Sequence, residues 1–522
     1  MTATTPADTA PNYHTSGTPE IPARNPRRWW ILLVLCLCAL VLMLDNLILN
    51  VAIPQIAGDL DAGAQDIQWM IDSYILVFAG LLLTAGSLSD RFGRRRLMLI
   101  GLTLFGGSSL IAALASSPAE LIGARALMGI GGALIMPATL SILITVFDDE
   151  ERPKAMGALA GVSVLGMVGG PLLGGQMLAH FWWGSIFLIN VPVAALAALA
   201  CITLMPESKG PWRKPDFAGM ALSVVSMTAL VWTIIEWPTH GIDERPTQIS
   251  LGIAVVGLIA FVIRELTTDS PMVPMGLFRN RTFTGSSFSM VLMTFANGGL
   301  LLVLTQYLQY VLEYSPTKTG LSFTPLAIAV LIFNGLAAAL AKKLGNNIVA
   351  SAGLAVIASG FGLLSTLEVG DGFWLPATAM AVMGAGMGMV MPTAMAALMS
   401  AIPGEHAGVG SALNDTIQQA GGALGVAVLG SVLASTFTDT MPESAPAAAK
   451  HSVGEALAVA KTTGDAGLVD SAREAFTSAM STTFVAGAVS VLGAAVLALV
   501  LMRGKAAAES ADPDRSEVPV AV

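Results

Sequence analysis

Long apolar stretches, separated by short polar or glycine- and proline-containing breaks, run through almost the whole chain. A helix that crosses the hydrocarbon core of a membrane needs about 20 predominantly apolar residues. Fourteen stretches reach this length, and we predict helices at about 30–54, 67–89, 97–116, 120–146, 155–179, 185–205, 216–237, 248–267, 283–312, 318–342, 348–367, 374–401, 407–436 and 478–502. The pattern therefore predicts an all-α, polytopic membrane protein whose main partner is the lipid bilayer.

The composition supports this class and excludes another. Of the 522 residues, 54% are apolar and only 12% are charged, whereas a soluble globular chain is about 25% charged. The formal net charge of −9 argues against a nucleic-acid partner, which would require a basic face. The three cysteines all lie in apolar stretches and indicate neither disulfides nor a metal site.

Lysine and arginine are unevenly distributed between the segments that join the predicted helices. Segments on the side of the N-terminus carry twenty positive residues, and those on the opposite side carry five. Because positive residues concentrate on the cytoplasmic side of a membrane protein, both termini are predicted to be cytoplasmic in a multi-pass protein of the cell membrane. The first apolar stretch is too long for the core of a cleavable signal peptide.

An internal repeat divides the chain. The segment from Met128 to Pro137, which begins Met-Gly-x-Gly and ends Met-Pro, recurs 255 residues later from Met383 to Pro392. Related six-helix halves are common in secondary transporters. We therefore predict a disordered tail, a six-helix half, a linker with two inserted helices, a second six-helix half with an external loop of short helices, and a second disordered tail, at 1–28, 29–205, 206–282, 283–502 (loop 437–477) and 503–522.

The loop between the second and third predicted helices carries the first functional motif. It reads Gly-Ser-Leu-Ser-Asp-Arg-Phe-Gly-Arg-Arg-Arg over 86–96. Its glycines permit a tight turn, and Asp90 and Arg94 stand at the spacing of an ion pair along a helix. The motif resembles the signature of the major facilitator superfamily. The resemblance implies that Asp90, Arg91, Gly93 and Arg94 lock and release a cytoplasmic gate.

Three further motifs resemble those of the fourteen-helix drug:proton antiporters of that superfamily. They are the segment 44–54 in the first helix, Arg125-Ala-Leu-Met-Gly-Ile-Gly in the fourth, and the glycine-rich segment 166–175 around Gly170 and Pro171 in the fifth. The resemblance implies a major facilitator fold of two six-helix halves plus two inserted central helices. It also implies that Arg125 takes part in proton transfer, and that the fifth helix is the antiporter motif of an exporter.

Ionisable residues inside predicted membrane helices are few. Asp45, Asp72 and Arg125 lie on three different helices at similar depth. A charge near the membrane centre costs at least about 2.5–3.5 kcal/mol, so each is a functional candidate. We predict that the three converge on a proton-coupling site. The alternative is a static charge pair that holds the helices together. Asp72 also matches a position that is acidic in the quaternary-ammonium and dye exporters of this family.

Asp415 begins a polar face on the thirteenth predicted helix. Asn414 and Gln418 accompany it at helical spacing, so this face is expected to look into a central cavity and to contact substrate. Tyr74 and Phe295 are predicted to add cation–π contacts with a cationic substrate. The alternative for Asp415 is a hydrogen bond between helices.

The chain is therefore predicted to be a proton-coupled antiporter that exports lipophilic, cationic drugs or toxic compounds. It carries no phosphate-binding loop, nucleophile elbow or histidine–cysteine cluster, so we expect no enzymatic activity, no cofactor and no metal, with a proton gradient as driving force and a monomer as the functional unit. Two alternatives stay open: a dedicated exporter of one metabolite, antibiotic or lipid, and a non-transporting receptor or scaffold.

Overall fold

The computed structural model describes residues 26–148, 151–209, 216–268, 271, 273, 275–401 and 407–501. This part of the chain is helical nearly throughout and contains no β-strand. Its helices are α1 (Arg28–Leu60), α2 (Ala64–Phe92), α3 (Arg94–Ala113), α4 (Pro118–Val146), α5 (Arg152–His180), α6 (Ser185–Leu188), α7 (Asn190–Leu204), α8 (Phe217–His240), α9 (Arg245–Thr267), α10 (Arg281–Gln306), α11 (Pro316–Ser322), α12 (Thr324–Leu344), α13 (Asn346–Leu364), α14 (Trp374–Ser400), α15 (Ala407–Thr440), α16 (Val453–Thr463) and α17 (Ala466–Leu501). The predicted tails lie outside the described residues, apart from residues 26–28.

The prediction of an all-α polytopic membrane protein is confirmed. In the described part of the chain, twelve segments are long and apolar enough to cross a membrane, and a bent pair in α2, Ala64–Leu82 with Thr84–Phe92, makes a thirteenth; its two parts meet at 54°. The predicted count of fourteen exceeds this number by one. The remaining predicted span is α5, a helix of 29 residues, and its crossing of the membrane stays a prediction.

Three predicted helices are interrupted in the structure. The segment 185–205 is broken at Ile189, between α6 and α7, and the segment 318–342 is broken at Phe323, between α11 and α12. Each break lies three or fewer residues before a proline, Pro192 or Pro325, whose ring crowds the carbonyl of the preceding turn. The third interruption is a π-helix, Tyr307–Val311, at the end of α10.

We call the end of the bundle where α1 ends and α2 begins the distal end. The predicted external loop 437–477 lies there and is more helical than expected, because α15 continues to Thr440 and α17 already begins at Ala466. Between them lies α16, which Ser452 caps by accepting a hydrogen bond from the Glu455 N–H at 3.2 Å. The predicted short helices in this loop are therefore present.

The sequence repeat corresponds to a repeated packing arrangement. A Cβ on Gly131 of α4 would lie 2.9 Å from the carbonyl oxygen of Gly101 on α3, and a Cβ on Gly386 of α14 would lie 2.5 Å from that of Gly353 on α13. Both contacts require glycine because the two backbones touch. By the same register, the position of Arg125 in α4 is taken by Met380 in α14.

The turns that precede α3 and α13 repeat as well. Gly93 has φ +115° and Gly345 has φ +87°, a region that residues with a Cβ rarely adopt. Three buried apolar clusters follow from this architecture: one in α1–α7, one in α10–α17, and a small one where α2 meets α8 and α15. The small cluster lies at the junction of the two halves and is where the functional residues must be sought.

Candidate functional site

Asp45 of α1 and Arg125 of α4 form a buried ion pair. Their side chains are 1% and 0% exposed, and Arg125 donates from Nη1 to Asp45 Oδ2. The Arg125 Nε also donates to the carbonyl oxygen of Met70 at 3.1 Å, and the guanidinium carbon lies 4.4 Å from the centre of the Tyr74 ring. The arginine charge is therefore compensated by a carboxylate, a carbonyl and an aromatic face.

Asn190 completes the surroundings of Asp45. Its Nδ2 donates to Asp45 Oδ1 at 2.8 Å and to Ser109 Oγ at 3.1 Å. The network thus joins α1, α3, α4 and α7, with α2 contributing the Met70 carbonyl. Sequence reasoning did not select Asn190. The feature that could have identified Asn190 is its amide side chain inside an apolar stretch, because a polar group in a membrane helix needs a partner on another helix.

Asp72 is not part of this network. Its side chain is fully buried, and neither carboxylate oxygen has a hydrogen-bond partner among the described residues. It shares a face of α2 with Leu76, which packs against Val231 of α8 and Ala423 of α15. Our prediction that all three ionisable residues converge is therefore wrong for Asp72. Counting residues along each helix gives the depth of a side chain in the membrane, but not the direction in which the side chain points.

Gln68 lies one helical turn before Asp72, toward the distal end. Its Oε1 accepts a hydrogen bond from the Ser431 hydroxyl of α15 at 3.5 Å, and the same hydroxyl donates to the carbonyl oxygen of Ile234 of α8 at 2.8 Å. This face of α2 therefore contacts both the inserted helix α8 and the second half. Asp72 is the buried charge-bearing group at that three-helix junction.

The predicted substrate-contacting residues are placed differently from one another. Asp415 and Gln418 on α15 are half-buried, whereas the side chain of Asn414 lies outside the described part. Tyr74 and Phe295 are buried; Tyr74 stacks on Phe78 at 5.8 Å beneath Arg125. Tyr74 therefore supports the ion pair in this conformation, and the predicted cation–π contacts of the two rings with a substrate stay a prediction.

The motif at 86–96, for which a role in a cytoplasmic gate is a prediction, forms a set of defined contacts. Arg94 donates from Nε and Nη2 to Asp90 Oδ1 at 3.0 and 2.9 Å, and from Nη1 to the carbonyl oxygen of Ser141 near the end of α4 at 3.2 Å. Arg91 lies over the Phe92 ring, 5.0 Å from its centre. The motif therefore fastens the α2–α3 turn to α4.

Glu207, which follows α7, also holds this turn and was missed from the sequence. Its Oε1 accepts a hydrogen bond from the Arg95 N–H at 3.1 Å. A Cβ on Gly93 would lie 2.5 Å from this oxygen, so the glycine is needed for space as well as for its positive φ. Glu207 lies in a predicted loop, and nothing in the sequence around it indicates its contact with the α2–α3 turn.

Gly170 and Pro171 lie in the middle of α5, between the two halves. Gly170 packs against the side chain of Leu47 on α1, and the carbonyl oxygen of Pro171 touches Gly320 of α11. One turn later, the Thr317 hydroxyl of α11 donates to the carbonyl oxygen of Gly175 at 2.8 Å. The glycine-rich motif of α5 thus forms a close helix–helix contact that closes the distal end.

Comparisons with known proteins agree with this architecture. The chain is 34% identical over 498 residues to the multidrug efflux pump LfrA of Mycolicibacterium smegmatis, which covers 93% of this chain and 99% of LfrA. It is 31% identical over 400 residues to the methyl viologen resistance protein SmvA of Salmonella typhimurium, which covers 76% of this chain and 81% of SmvA.

A solved structure has the same fold. The inward-facing, occupied form of a bacterial homologue of the human lysosomal transporter Spinster superposes with a TM-score of 0.67 at 16% identity, over 92% of this chain and 97% of that one. The family model described as Major Facilitator Superfamily matches residues 35–426. These matches cover both halves of the bundle and the buried residues between them, and the chain therefore belongs to the major facilitator superfamily.

Proposed function

We propose that this multi-pass membrane transporter is a proton-coupled antiporter that exports lipophilic cations, and that Asp72 carries the exchanged charge. One observation supports this above all: Asp72 is fully buried at the junction of the two halves, and its carboxylate has no hydrogen-bond partner among the described residues. Such a group is stable in an apolar site only as the neutral acid or beside a cation. A proton and an organic cation can therefore compete for it.

This competition provides coupling. A carrier that binds the proton in one conformation and the cation in the other exchanges them across the membrane, because each ligand shifts the equilibrium only by its differential affinity. Asp72 lies between α2, α8 and α15, and relative movement of the halves would change its surroundings. No cofactor is needed, since the proton gradient supplies the driving force, and one chain contains the complete site.

The Asp45–Arg125 pair suits a different role. Both Asp45 oxygens accept hydrogen bonds, one from Arg125 and one from Asn190. These two partners favour the charged form of the Asp45 carboxylate, whereas the Asp72 carboxylate has no such partner among the described residues. We therefore assign Asp45, Arg125 and Asn190 to holding the first half together, which is the static alternative that the sequence left open, and we assign proton exchange to Asp72.

Contacts between the halves support an inward-facing state. The Gln309 Nε2 donates to the carbonyl oxygen of Val51 at 2.8 Å, and the contacts of Thr317 with Gly175 and of Ser431 with Gln68 also lie toward the distal end. If the distal end is external, as the distribution of positive residues predicts, the carrier is closed to the outside. Both termini are then cytoplasmic.

The relatives support the substrate class. One is named for multidrug efflux and another for resistance to methyl viologen, which is an organic dication. The fully buried Asp72, whose carboxylate has no hydrogen-bond partner among the described residues, favours a cation over a neutral compound, because a cation offsets the desolvation of such a carboxylate.

The test is substrate-induced proton release from the purified protein. We expect methyl viologen and other lipophilic cations to displace a proton from the wild-type protein, and to displace none from Asp72→Asn. Neutral antibiotics and lipids provide the comparison. Release that survives unchanged in Asp72→Asn would refute the assignment of the coupled proton. Absence of release with every cation tested would refute proton antiport of cations altogether.

A further inference from the structure

A small cavity lies at the distal end between the two halves. It is lined by Gln68 of α2, Gln306 of α10, Ala434 of α15 and the loop residues His451 and Ser452, together with apolar neighbours, and its volume is about 30 Å³. A buried water needs roughly 10–15 Å³ and two to four polar partners. The cavity therefore has room for about two waters, and its amide, imidazole and hydroxyl groups provide enough partners to hold them.

One side of the cavity is formed by the face of α2 that carries Gln68. Gln68 lies on the same face of α2 as Asp72, one turn closer to the distal end, which is a rise of about 6 Å. A Cβ on Gly430 of α15 would lie 2.8 Å from Gln68 Nε2, so a glycine at this position leaves the space that the amide occupies. Gln68 is thus the last polar side chain of this face before the unpartnered carboxylate.

The mouth of the cavity is acidic. His451 is exposed, and Glu455, one turn into α16, reaches across to the α1–α2 turn, where a Cβ on Gly63 would lie 3.6 Å from its Oε1. Burial raises the pKa of Glu455, the charges of Asp61 and Asp66 raise it further, and His451 lowers it. A concentration of negative charge around an opening raises the local concentration of cations, including protons.

Two other charged groups on this surface, Arg473 and Glu313, form an ion pair. Arg473 of α17 donates to Glu313 and, from Nε, to the carbonyl oxygen of Tyr310 at 3.2 Å. The hydroxyl of Tyr310 lies next to Gly454 of α16, 3.0 Å from where a Cβ would stand. The roof over the cavity is therefore fixed to the second half, while its acidic side faces the first half.

We propose that this cavity is a hydrated proton-entry site, through which protons pass from the distal surface past His451 and Gln68 to Asp72, with α16 as its roof. The inference rests on the proposed function and adds the route to it. A proton moves along such a route by exchange between hydrogen-bonded waters and side chains, so removing the amide or filling the cavity interrupts it without altering the carboxylate.

The test separates proton delivery from substrate handling. Gln68→Leu removes the amide, and Ala434→Leu fills the cavity with an added side chain. In proteoliposomes, each variant should slow methyl viologen transport driven by a pH gradient about tenfold or more. Exchange of labelled for unlabelled methyl viologen at equal pH, which needs no net proton movement, should stay within about twofold of wild type and shows that the variant is folded.

Gln65→Leu is the matched control. Gln65 is a glutamine on the same helix, three residues before Gln68, and its Nε2 donates to Glu236 at 3.3 Å instead of lining the cavity. We expect it to transport at the wild-type rate. His451→Ala should also slow the gradient-driven rate, because it removes one of the polar side chains that line the cavity.

The outcomes are distinguishable. If Asp72→Asn abolishes gradient-driven transport but Gln68→Leu and Ala434→Leu transport at the wild-type rate, the entry route is wrong and the proposed function stands. If Asp72→Asn itself transports normally, the proposed function fails with it. Equal slowing of gradient-driven transport and of exchange in both cavity variants would show that this region serves conformational change and would overturn the route.

Discussion

Asp72 and Tyr74 are two positions apart on α2, and their side chains leave the helix on nearly opposite faces. The centre of the Tyr74 ring lies 4.4 Å from the guanidinium carbon of Arg125 on α4. Asp72 shares the face of Leu76, which packs against α8 and α15. Two residues along a helix differ by about 200° in direction. One helix therefore supports the ion pair of the first half on one side and presents an unpaired acid to the second half on the other.

This separation predicts opposite effects of neutralising the two buried acids on stability. Asp45→Asn leaves Arg125 buried without its counter-ion and should lower the free energy of unfolding by roughly 3–5 kcal/mol. Asp72→Asn replaces an unpaired carboxylate and should leave the melting temperature in detergent unchanged or higher, while abolishing proton-driven export. Thermal unfolding of both variants, measured beside transport, checks this. A similar loss of stability in both would contradict the assignment.

The α2–α3 turn allows a matched comparison of two glycines. Gly93→Ala and Gly345→Ala both place a Cβ at positive φ, but only the first brings it against Glu207, since nothing lies within 4 Å at Gly345. Gly93→Ala should therefore reduce transport much more than Gly345→Ala. If the clash of the new Cβ with Glu207 causes the loss, adding Glu207→Ala to Gly93→Ala should restore part of the activity. If backbone strain at positive φ is the only cause, the second substitution should restore none.

Asp90 should affect the conformational change of the transporter more than its binding of substrate. Asp90→Asn weakens the two hydrogen bonds that Arg94 donates to the carboxylate, while Arg94 keeps its contact with the carbonyl oxygen of Ser141. We expect the turnover rate to fall about tenfold or more, with the dissociation constant for substrate changed less than about twofold. Binding to purified protein and transport in proteoliposomes measure the two. An equal loss of both would make the turn a purely structural element.

Asp415 is predicted to select cations. Asp415→Asn removes a half-buried negative charge from α15 and should weaken binding of organic cations about tenfold or more, with little effect on neutral compounds. Asp439→Asn is the control, because Asp439 is exposed near the distal end of the same helix. Equal weakening for charged and neutral ligands would make Asp415 a packing or coupling residue instead.

The docking of α16 should depend on pH. The pKa of Glu455 is raised in the folded protein by burial and by Asp61 and Asp66. A raised carboxylate pKa contributes stability that is present below the pKa of the unfolded state and is lost as pH rises through the folded value. The protection factors of α16 amides, which correct hydrogen-exchange rates for the intrinsic effect of pH, should accordingly be higher at pH 5 than at pH 8. In Glu455→Gln this difference should largely disappear, and its persistence would assign the effect to another group.

The sequence predicted the fold class because membrane helices are marked by length and hydropathy alone. It also predicted that Asp45 and Arg125 lie at one level, and they do form a pair. The rotation of α2 that separates Asp72 from this pair is set by packing against α4, α8 and α15, which a linear pattern does not contain. Asn190 and Glu207 were missed for the same reason, since their partners are distant in the chain.

The two halves share their glycine contacts but not their charges. Met380 stands where the first half has Arg125, and the Leu326 carbonyl of α12 lies against Gly384 of α14 as the Tyr74 carbonyl of α2 lies against Gly129 of α4. Substitutions in the second half therefore leave the ion pair, and the stability that depends on it, untouched. The buried arginine limits which neighbouring side chains the first half can accept, because its charge must stay compensated. The corresponding place in the second half carries no charge and imposes no such requirement.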